Sequence, residues 1–409
     1  MIPMRHPLSL LLPLLLAACA APGARPEAAA GAEAPVPAHT SYAWARFDAR
    51  RITASDASGP ADKETGRLLT VDDPVRVASI SKLVVALAVM RLVEQGKLDL
   101  DRDLSDLSGL RLRNPAFPDD PITLRLLLSH RSSLRDEVDY VIPLGGTVES
   151  VLADPKAFDP EHRPGTYFRY SNLGFPVIGT VLERATGERF DRLMRRLVLE
   201  PMKLDACFNW SGCSPAKIAR AAVLYRANGD IALDDLKGAP PPCLVNRASP
   251  DAPCDLAAYQ IGTHGGLFSP QGGLRISVRD LAAIGQLLLR KGKLPDGTRL
   301  LSEASIAEMT RPHWRTDGGA NGDTEKGFYC AYGLAVQILG QCPPGDDPVG
   351  DARPRIGHAG DAYGLKSGLW TDPEGGTGIA YFATGIDPAA PRGRSAYWTI
   401  EEWLAAKAR

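Results

Sequence analysis

The longest continuous apolar stretch within residues 42–409 lies near the start of that region. Within VRVASISKLVVALAV, which begins at Val75, every position from Leu83 to Met90 is apolar. A helix that is apolar on all sides has to be buried. We therefore predict a buried helix from Ser79 to Gly96, ended by that glycine.

Other parts of the chain alternate between helical and strand-like patterns. Short strand-like pieces fill Tyr42 to Val77, and after Arg355 the segments RIGHAGD, LKSGLWTD and TGIAYFATG alternate as strands do. Strands at both ends with helices between predict an α/β fold, in which the N- and C-terminal segments form one antiparallel sheet with flanking helices and a mainly helical domain is inserted. The remaining predicted elements are amphipathic helices at Thr123 to Ser129, Phe175 to Thr186, Phe190 to Leu199 and Val278 to Lys291, a turn at Asp372 to Gly376, and a final helix at Ser395 to Lys407.

The first residues, MIPMRHPLSLLLPLLLAAC, have the pattern of an export signal. Arg5 supplies a positive start, and the apolar stretch from Leu8 to Ala18 is too short to span a bilayer. Its end resembles a bacterial lipobox, so we expect residues 1–18 to be removed and Cys19 to be lipidated; an ordinary signal peptide with an incidental cysteine is the alternative. Residues 19–41 are then an Ala/Pro/Gly-rich tether, and residues 42–409 are the folded domain.

This interpretation places the protein in the bacterial cell envelope, facing the periplasm and held by its lipid in a membrane, with the outer membrane expected. The formal net charge of the 409 residues is −1, which gives no reason to expect nucleic acid as a partner. Without Cys19, six of the seven cysteines remain in an oxidising compartment. Their spacing favours the pairs Cys207–Cys213, Cys243–Cys254 and Cys330–Cys342 among fifteen possible connectivities. No motif for a metal site occurs, and we expect none.

Ser79 and Lys82 form a candidate nucleophile and base. A serine hydroxyl needs an adjacent base to attack, and residues three apart on a helix share one face. Burial lowers the pKa of a lysine and lets it accept a proton. Ser214 and Lys217 have the same spacing, but Pro215 follows Ser214 and the helix there is half polar, which favours a capping role for Ser214.

Two further motifs lie downstream in the order that one family shows. Tyr170-Ser171-Asn172 is the only Tyr-x-Asn of the chain, and His358-Ala359-Gly360 lies on a predicted strand near the C-terminus. Together with Ser79-x-x-Lys82, these motifs resemble the penicillin-recognising serine hydrolases, the group of class C β-lactamases, D-amino-acid peptidases and related esterases. The resemblance extends from about Ala43 to the C-terminus and implies a β-lactamase/transpeptidase-like fold.

The third motif has competitors at three other positions. Trp210-Ser211-Gly212 lies in a short cysteine-bounded loop, and His264-Gly265-Gly266 is followed by a helix. Lys366-Ser367-Gly368 matches the form that β-lactamases use. Placing the motif at His358 leaves two more strands before the last helix, which agrees better with the three C-terminal strands that the family implies.

The resemblance also implies roles for the residues. Ser79 attacks a carbonyl group to form an acyl-enzyme, and Lys82 and Tyr170 share the proton transfers, with their division left open. Asn172 binds the amide of the substrate, and His358 lines the cleft beside the phenol of Tyr170. No cofactor or metal is needed.

Gly360 belongs to the same binding strand, and the main-chain N–H groups of Ser79 and Asp361 form the oxyanion hole. His358 stands where β-lactam specialists have lysine, so a permanent cation is missing. We therefore expect a cell-envelope esterase or D-peptidase that acts on a small ester, D-peptide or β-lactam, more than an efficient class C-type β-lactamase. A non-catalytic penicillin- or peptidoglycan-binding lipoprotein is the alternative from another class. A Ser-His-Asp hydrolase is disfavoured because the chain has no Gly-x-Ser-x-Gly.

Overall fold

The structure is a computed structural model that describes Met1 and residues 35–409. Cys19, the predicted signal peptide after Met1 and most of the predicted tether lie outside the described residues. Residues Pro37–Arg409 form one compact unit that contains every described strand and helix. Among the described residues no helix has both the length and the apolar character needed to cross a membrane.

Fifteen strands occur in the described part of the chain. Most are short, and the five that reach seven or eight residues are at the two ends of the domain. The strands are β1 (Ser41–Asp48), β2 (Ile52–Ser58), β3 (Pro60–Asp62), β4 (Arg67–Leu68), β5 (Val75–Arg76), β6 (Cys207–Phe208), β7 (Leu224–Tyr225), β8 (Ile231–Leu233), β9 (Leu274–Ile276), β10 (Trp314–Arg315), β11 (Ala331–Tyr332), β12 (Gln337–Leu339), β13 (Arg355–Ala362), β14 (Leu365–Asp372) and β15 (Thr377–Thr384).

Ten α-helices lie mainly between the two groups of long strands. They are α1 (Ile80–Glu94), α2 (Leu104–Ser108), α3 (Leu124–Leu128), α4 (Val148–Leu152), α5 (Gly174–Thr186), α6 (Phe190–Met194), α7 (Pro215–Ala219), α8 (Val278–Leu289), α9 (Glu303–Thr310) and α10 (Thr399–Ala405). A π-helical turn at Arg195–Leu199 extends α6, and 3-10 turns occur at Pro155–Ala157 and Ala406–Ala408.

The main sheet has eight antiparallel strands in the order β10-β11-β12-β13-β14-β15-β1-β2. The N-terminal strand β1 thus pairs with the C-terminal strand β15, with Ser41 opposite Thr384. This arrangement confirms the predicted sheet from both chain ends. Three smaller sheets accompany it. One of them joins β5, β9 and β6, and its strand β5 ends three residues before Ser79.

Alternating side chains cover both faces of the main sheet. On β15, Ala380 and Phe382 belong to the large core that also contains α1 and α8, whereas Ile379 and Tyr381 pack in a second core with α10. Successive strand residues point to opposite faces, so a strand buried on both sides is mostly apolar, as β15 is. Helix α1 contacts β13 and is buried along most of its length, as the apolar pattern predicts.

Two helix boundaries differ from the prediction. The last helix begins at Thr399 and not at Ser395, because the Ser395 hydroxyl and main-chain N–H both bond to Glu402 in a loop. The predicted helix from Phe190 to Leu199 is divided, since α6 passes into the π-helical turn after Met194.

Candidate active site

Ser79 lies on a sharp turn between β5 and α1. The preceding residue, Ala78, has φ +48°, a value that residues with a side chain rarely adopt. Ser79 is the residue before the first turn of α1, and its hydroxyl makes no capping hydrogen bond there. The hydroxyl is therefore left available for another partner.

That partner is Lys82. The Nζ atom of Lys82 lies 3.0 Å from Ser79 Oγ, 2.8 Å from Asn172 Oδ1 and 2.8 Å from the main-chain oxygen of Gln271. The side chain is fully buried. Burial lowers the pKa of the Lys82 ammonium to about 7, with the positive charge of Arg76 adding to the effect and Asp136 opposing it. A substantial fraction of the amine is neutral at physiological pH.

The three partners determine where the lone pair of neutral Lys82 points. The oxygen of an amide or of a main-chain carbonyl can only accept a hydrogen bond. The two hydrogens of the neutral amine are therefore directed to Asn172 and Gln271, and the lone pair faces the Ser79 hydroxyl, the one partner that can donate. Deprotonated Lys82 is oriented as a base toward Ser79.

The orientation of Asn172 depends on Asp136, a residue that the sequence analysis missed. Asn172 Nδ2 donates to Asp136 Oδ2 at 2.9 Å. The same carboxylate accepts the main-chain N–H groups of Asn172 and Leu173 and the hydroxyl of Ser171. Since a carboxylate only accepts, the amide nitrogen must face it, which directs Asn172 Oδ1 to Lys82.

Tyr170 completes the group on the other side of Ser79. Its ring stacks on Tyr329 with centroids 5.1 Å apart, and Lys82 Nζ lies 4.9 Å from the ring centre of Tyr170. The hydroxyl is buried and has no well-formed hydrogen bond within the described residues, although it is near enough to Ser79 for that hydroxyl to affect its pKa. Burial raises the pKa of Tyr170 far above its usual value, with Ser79 opposing the effect. Tyr170 is therefore protonated at neutral pH.

Strand β13 approaches the turn before Ser79 closely at Gly360. A Cβ at this position would lie 2.4 Å from the main-chain oxygen of Val77, just before the Ser79 turn. Ser367, opposite Gly360 on β14, donates to the same oxygen at 3.0 Å. The absence of a side chain at Gly360 is what lets the strand pack against the turn.

His358 is buried behind the wall of the cleft, which corrects the expectation that it lines the cleft beside Tyr170. Its Nδ1 lies 2.5 Å from the main-chain oxygen of Ala359, and its Nε2 lies 2.6 Å from the Tyr332 hydroxyl. Because the carbonyl only accepts, Nδ1 carries the hydrogen and Tyr332 donates to Nε2. The ring centroids of His358 and Tyr170 are 6.1 Å apart.

The hydrogen bonds continue from Tyr332 to the Tyr-x-Asn segment. His130 Nε2 donates to the Tyr332 hydroxyl at 3.2 Å, and His130 Nδ1 accepts the N–H of Ser171 at 3.1 Å. Burial lowers the pKa of both histidines, that of His358 to about 3, so both are neutral as this sequence of donors and acceptors requires. His358 therefore links β13 to the segment that holds Tyr170 and Asn172.

The two residues predicted to form the oxyanion hole both belong to the cleft. Ser79 and Asp361 both line it. Strand β12 pairs with β13 only as far as Gly357, so the following residues of β13 have no strand neighbour on that edge. The Asp361 side chain forms an ion pair with Lys366, which lies opposite it on β14. Alternation along β13 places that carboxylate on the face opposite to Gly360.

Of the competing motifs, the one at Lys366 does line the cleft, where Lys366 pairs with Asp361, but the other three have different surroundings. Ser214 caps α7 by accepting the N–H of Lys217 at 3.1 Å, and its hydroxyl donates to Asp205. Trp210 donates to Asp234, and the ring of buried His264 bonds to the main-chain oxygen of Ile142. None of these three residues lines the cleft around Ser79.

The six cysteines of the folded domain are bonded in the predicted pairs Cys207–Cys213, Cys243–Cys254 and Cys330–Cys342. The third pair flanks the hairpin of β11 and β12, next to the segment that contains Tyr329. Among the described residues, one group has the spacing of metal ligands, formed by Cys330, Cys342 and Asp346, but its two sulfurs are bonded to each other.

The cleft that contains Ser79 has a volume of about 930 Å³. Aromatic and charged side chains line most of it, and the sequence analysis named few of them. Besides the residues above, the lining includes Arg76, Tyr140, Tyr363, Gln271, Glu325, Lys326, Phe328, Lys366, Arg392, Trp398 and Glu401.

Comparison with known proteins identifies the family. The model of the Beta-lactamase family matches residues 30–401. The chain therefore belongs to the Beta-lactamase family, and the resemblance seen in its motifs is confirmed.

Individual relatives match shorter parts. Penicillin-binding protein 4 from Amycolatopsis lactamdurans is 28% identical over 255 residues, which cover 62% of this chain and 60% of the relative. Esterase EstB from Burkholderia gladioli is 33% identical over 187 residues, covering 41% of this chain and 46% of the relative. The matched region thus spans between about half and three fifths of these relatives.

The fold agrees with a solved structure over most of its length. The D-amino acid amidase from Ochrobactrum anthropi SV3, complexed with L-phenylalanine amide, superimposes with a TM-score of 0.63 at 19% sequence identity. The superposition covers 90% of this chain and 92% of the amidase. The predicted β-lactamase/transpeptidase-like fold is confirmed.

Proposed function

We propose that the protein is a serine hydrolase that cleaves an ester or amide through an acyl-enzyme on Ser79. The observation that supports this most directly is the buried amine of Lys82, 3.0 Å from Ser79 Oγ, with a pKa of about 7. A serine that only caps a helix needs no such base, as Ser214 in this chain illustrates.

Acylation begins when neutral Lys82 takes the proton of Ser79. The Oγ atom then forms a bond to the carbonyl carbon of the substrate, and the electron pair of the C=O bond moves to oxygen. The N–H groups of Ser79 and Asp361 stabilise this oxyanion, a contribution worth about 2.7–4 kcal/mol for each donor. The C–O or C–N bond to the leaving group breaks as the carbonyl re-forms.

Tyr170 is suited to supply the proton that the leaving group needs. Burial keeps its hydroxyl protonated, which disfavours a role as the first base. Tyr170 donates its proton to the departing oxygen or nitrogen and receives the proton held by Lys82. In deacylation the same groups act in reverse, so a water molecule loses a proton and attacks the acyl carbon. This division assigns the initial base role to Lys82.

We place esters and D-amino acid amides or peptides ahead of β-lactams as substrates. The third motif has a buried neutral histidine where β-lactam specialists have lysine, and His358 bonds to Tyr332 and not to the cleft. The relatives include an esterase and a penicillin-binding protein, and an amidase shares the fold. Hydrolysis of a β-lactam, as in a class C-type β-lactamase, is the second candidate.

The test uses the soluble form, from about residue 40, with an aryl ester, a D-Ala-D-Ala peptide and a penicillin. We expect turnover of at least one of them, loss of turnover in Ser79→Ala, and an acyl adduct on Ser79 by mass spectrometry. Ser214→Ala is the matched control and should retain turnover. Activity unchanged in Ser79→Ala, or a stable adduct without turnover of any substrate, would contradict the proposal, the second in favour of a penicillin-binding protein without catalysis.

We also propose that Cys19 anchors the protein by a lipid to the periplasmic face of a bacterial membrane. The support is the sequence of the first nineteen residues alone. Full-length protein should fractionate with membranes and carry lipid, whereas Cys19→Ala should be released by a salt wash. A Cys19→Ala protein that keeps both the lipid and the membrane association would refute the anchor.

A further inference from the structure

Arg76 lines the cleft three residues before Ser79 and has no counter-ion. No described residue forms an ion pair with it, and its Nε atom is buried without a hydrogen-bond partner. A Cβ at Gly272 would lie 3.3 Å from Nη2 of Arg76 and 3.7 Å from Cα of Ala78. The guanidinium therefore lies beside the residue that precedes the nucleophile, in space that Gly272 leaves open.

The neighbours of Arg76 hold it without neutralising it. The Tyr363 ring packs against the guanidinium, whose carbon is 4.9 Å from the ring centroid. The carboxylate whose charge raises the pKa of Arg76 belongs to Asp234, which already accepts two hydrogen bonds from Arg275 and one from Trp210. Burial and the charge of Arg275 lower the pKa of Arg76 to about 10, which still leaves it charged at pH 7.

The other cations of the cleft differ from Arg76. Lys366 pairs with Asp361, and Arg394 pairs with Glu402. Arg392 is exposed, donates to the main-chain oxygen of Ala396 and lies over Trp398. Lys326 is exposed to solvent. Among the described residues, Arg76 is thus the cleft cation with a buried and unsatisfied donor, and such a group is costly unless a ligand completes it.

Arg76 and Tyr170 contact different aromatic side chains of the cleft. The guanidinium of Arg76 lies over the Tyr363 ring, whereas Tyr170 stacks on Tyr329. Under the proposed function, on which this step rests, Tyr170 protonates the leaving group. The leaving group then occupies the Tyr170 end, and the acyl part of the substrate extends toward Arg76.

We propose that Arg76 binds a free carboxylate on the acyl part of the substrate, so that the preferred substrates are esters or amides of acids with a second carboxyl group. The planar guanidinium matches a carboxylate with two parallel hydrogen bonds, and the Tyr363 ring fixes its plane.

Two aryl esters with the same acyl chain test this proposal. They are 4-nitrophenyl hydrogen glutarate, which has a free carboxylate, and the corresponding methyl ester, which has none. After subtraction of the uncatalysed rate, the wild type should favour the free acid by about tenfold or more in kcat/KM, mainly through KM. Arg76→Gln should bring the ratio close to one, and Arg76→Lys should restore part of it. Arg299→Gln, which changes an exposed arginine outside the cleft, should keep the wild-type ratio.

A binding measurement separates this inference from the proposed function. Calorimetry with Ser79→Ala compares monomethyl glutarate with dimethyl glutarate, and the monoanion should bind about tenfold more tightly only while Arg76 is present. If the wild type hydrolyses neither ester, the proposed function fails but the binding result still decides the role of Arg76. An unchanged ratio and unchanged binding in Arg76→Gln, or a preference lost in Arg392→Gln instead, would overturn the inference.

Discussion

The Asp136 carboxylate accepts Asn172 Nδ2 at 2.9 Å and thereby turns the amide oxygen of Asn172 toward Lys82. Under the proposed function, this contact directs the proton transfer from Ser79 to Lys82, although Asp136 itself neither gives nor receives the proton. If Asn172 were flipped, its NH₂ group would face the amine, and the lone pair of Lys82 would no longer be reserved for Ser79.

Asp136→Asn tests this arrangement. The negative charge of Asp136 raises the pKa of Lys82, so its loss should move the acid limb of the kcat/KM profile to lower pH. The maximal rate should fall by about tenfold, because Asn172 is no longer held in one orientation. Asp139→Asn, a nearby exposed acid outside the cleft lining, is the control and should leave the profile in place. A lower rate with an unmoved acid limb would mean that Asp136 is only structural.

The pH dependence of the wild type follows from Lys82. Its pKa is about 7, and under the proposed function the reactive form is the neutral amine. Below pH 7 the protonated form dominates, so kcat/KM should fall about tenfold for each pH unit and level off above about pH 8. Lys82→Arg, which stays protonated, should lose about 100-fold or more at every pH. A profile that is flat from pH 5 to 9 would contradict Lys82 as the base.

Changes at His358 should affect stability more than substrate binding. His358→Ala leaves the Tyr332 hydroxyl without its acceptor and should cost about 2 kcal/mol, lowering Tm by several degrees. Tyr332→Phe removes the hydroxyl that donates to His358 and should lower the stability by a similar amount. KM for an aryl ester should change by less than about threefold in both. A large rise in KM without a change in Tm would contradict this and would mean that His358 contacts the substrate.

Comparing Gly360→Ala with Gly376→Ala should separate an effect on activity from an effect on stability. The added methyl would overlap the main-chain oxygen of Val77 and force β13 away from the Ser79 turn. We expect kcat to fall about 100-fold and stability to fall by about 1–3 kcal/mol. Gly376→Ala is the matched control, because Gly376 has a left-handed φ of +67° but open space around it. It should lose about 1–2 kcal/mol and keep its kcat. Equal kcat losses in both variants would contradict this role of Gly360.

The sequence predicts the core of this fold because its patterns are local. Helix α1 is apolar on all sides, and β13 to β15 are continuous enough in their β-forming residues to be recognised one by one. The Ser79–Lys82 spacing is likewise a property of one helix turn. For Ser214, the proline that follows it indicates the cap that the structure forms.

Other parts of the site depend on contacts between distant segments. Asp136 meets Asn172 across 36 positions, and no spacing rule marks it among the acids of its loop. The direction of His358 depends on Tyr332, which arrives on β11 from outside the motif. The pairing of Asp361 with Lys366 needs the register of the β13–β14 hairpin, where Tyr363 and Gly364 both adopt positive φ. No sequence pattern marks Arg76, because its significance lies in the absence of a carboxylate that forms an ion pair with it.

The pairing of β1 with β15 has a consequence for the order of events during synthesis. Ser41 and Thr384, whose hydroxyl groups bond at 2.7 Å, are 343 positions apart. A ribosome has therefore released Ser79 and all of α1 long before the strand that packs against its turn exists. A nascent chain that stops before β13 lacks Gly360 and Asp361, one of the two residues of the predicted oxyanion hole, and the high contact order of the sheet delays its closure further. The site around Ser79 is consequently incomplete until the end of the polypeptide emerges, so under the proposed function a truncated translation product has no active nucleophile.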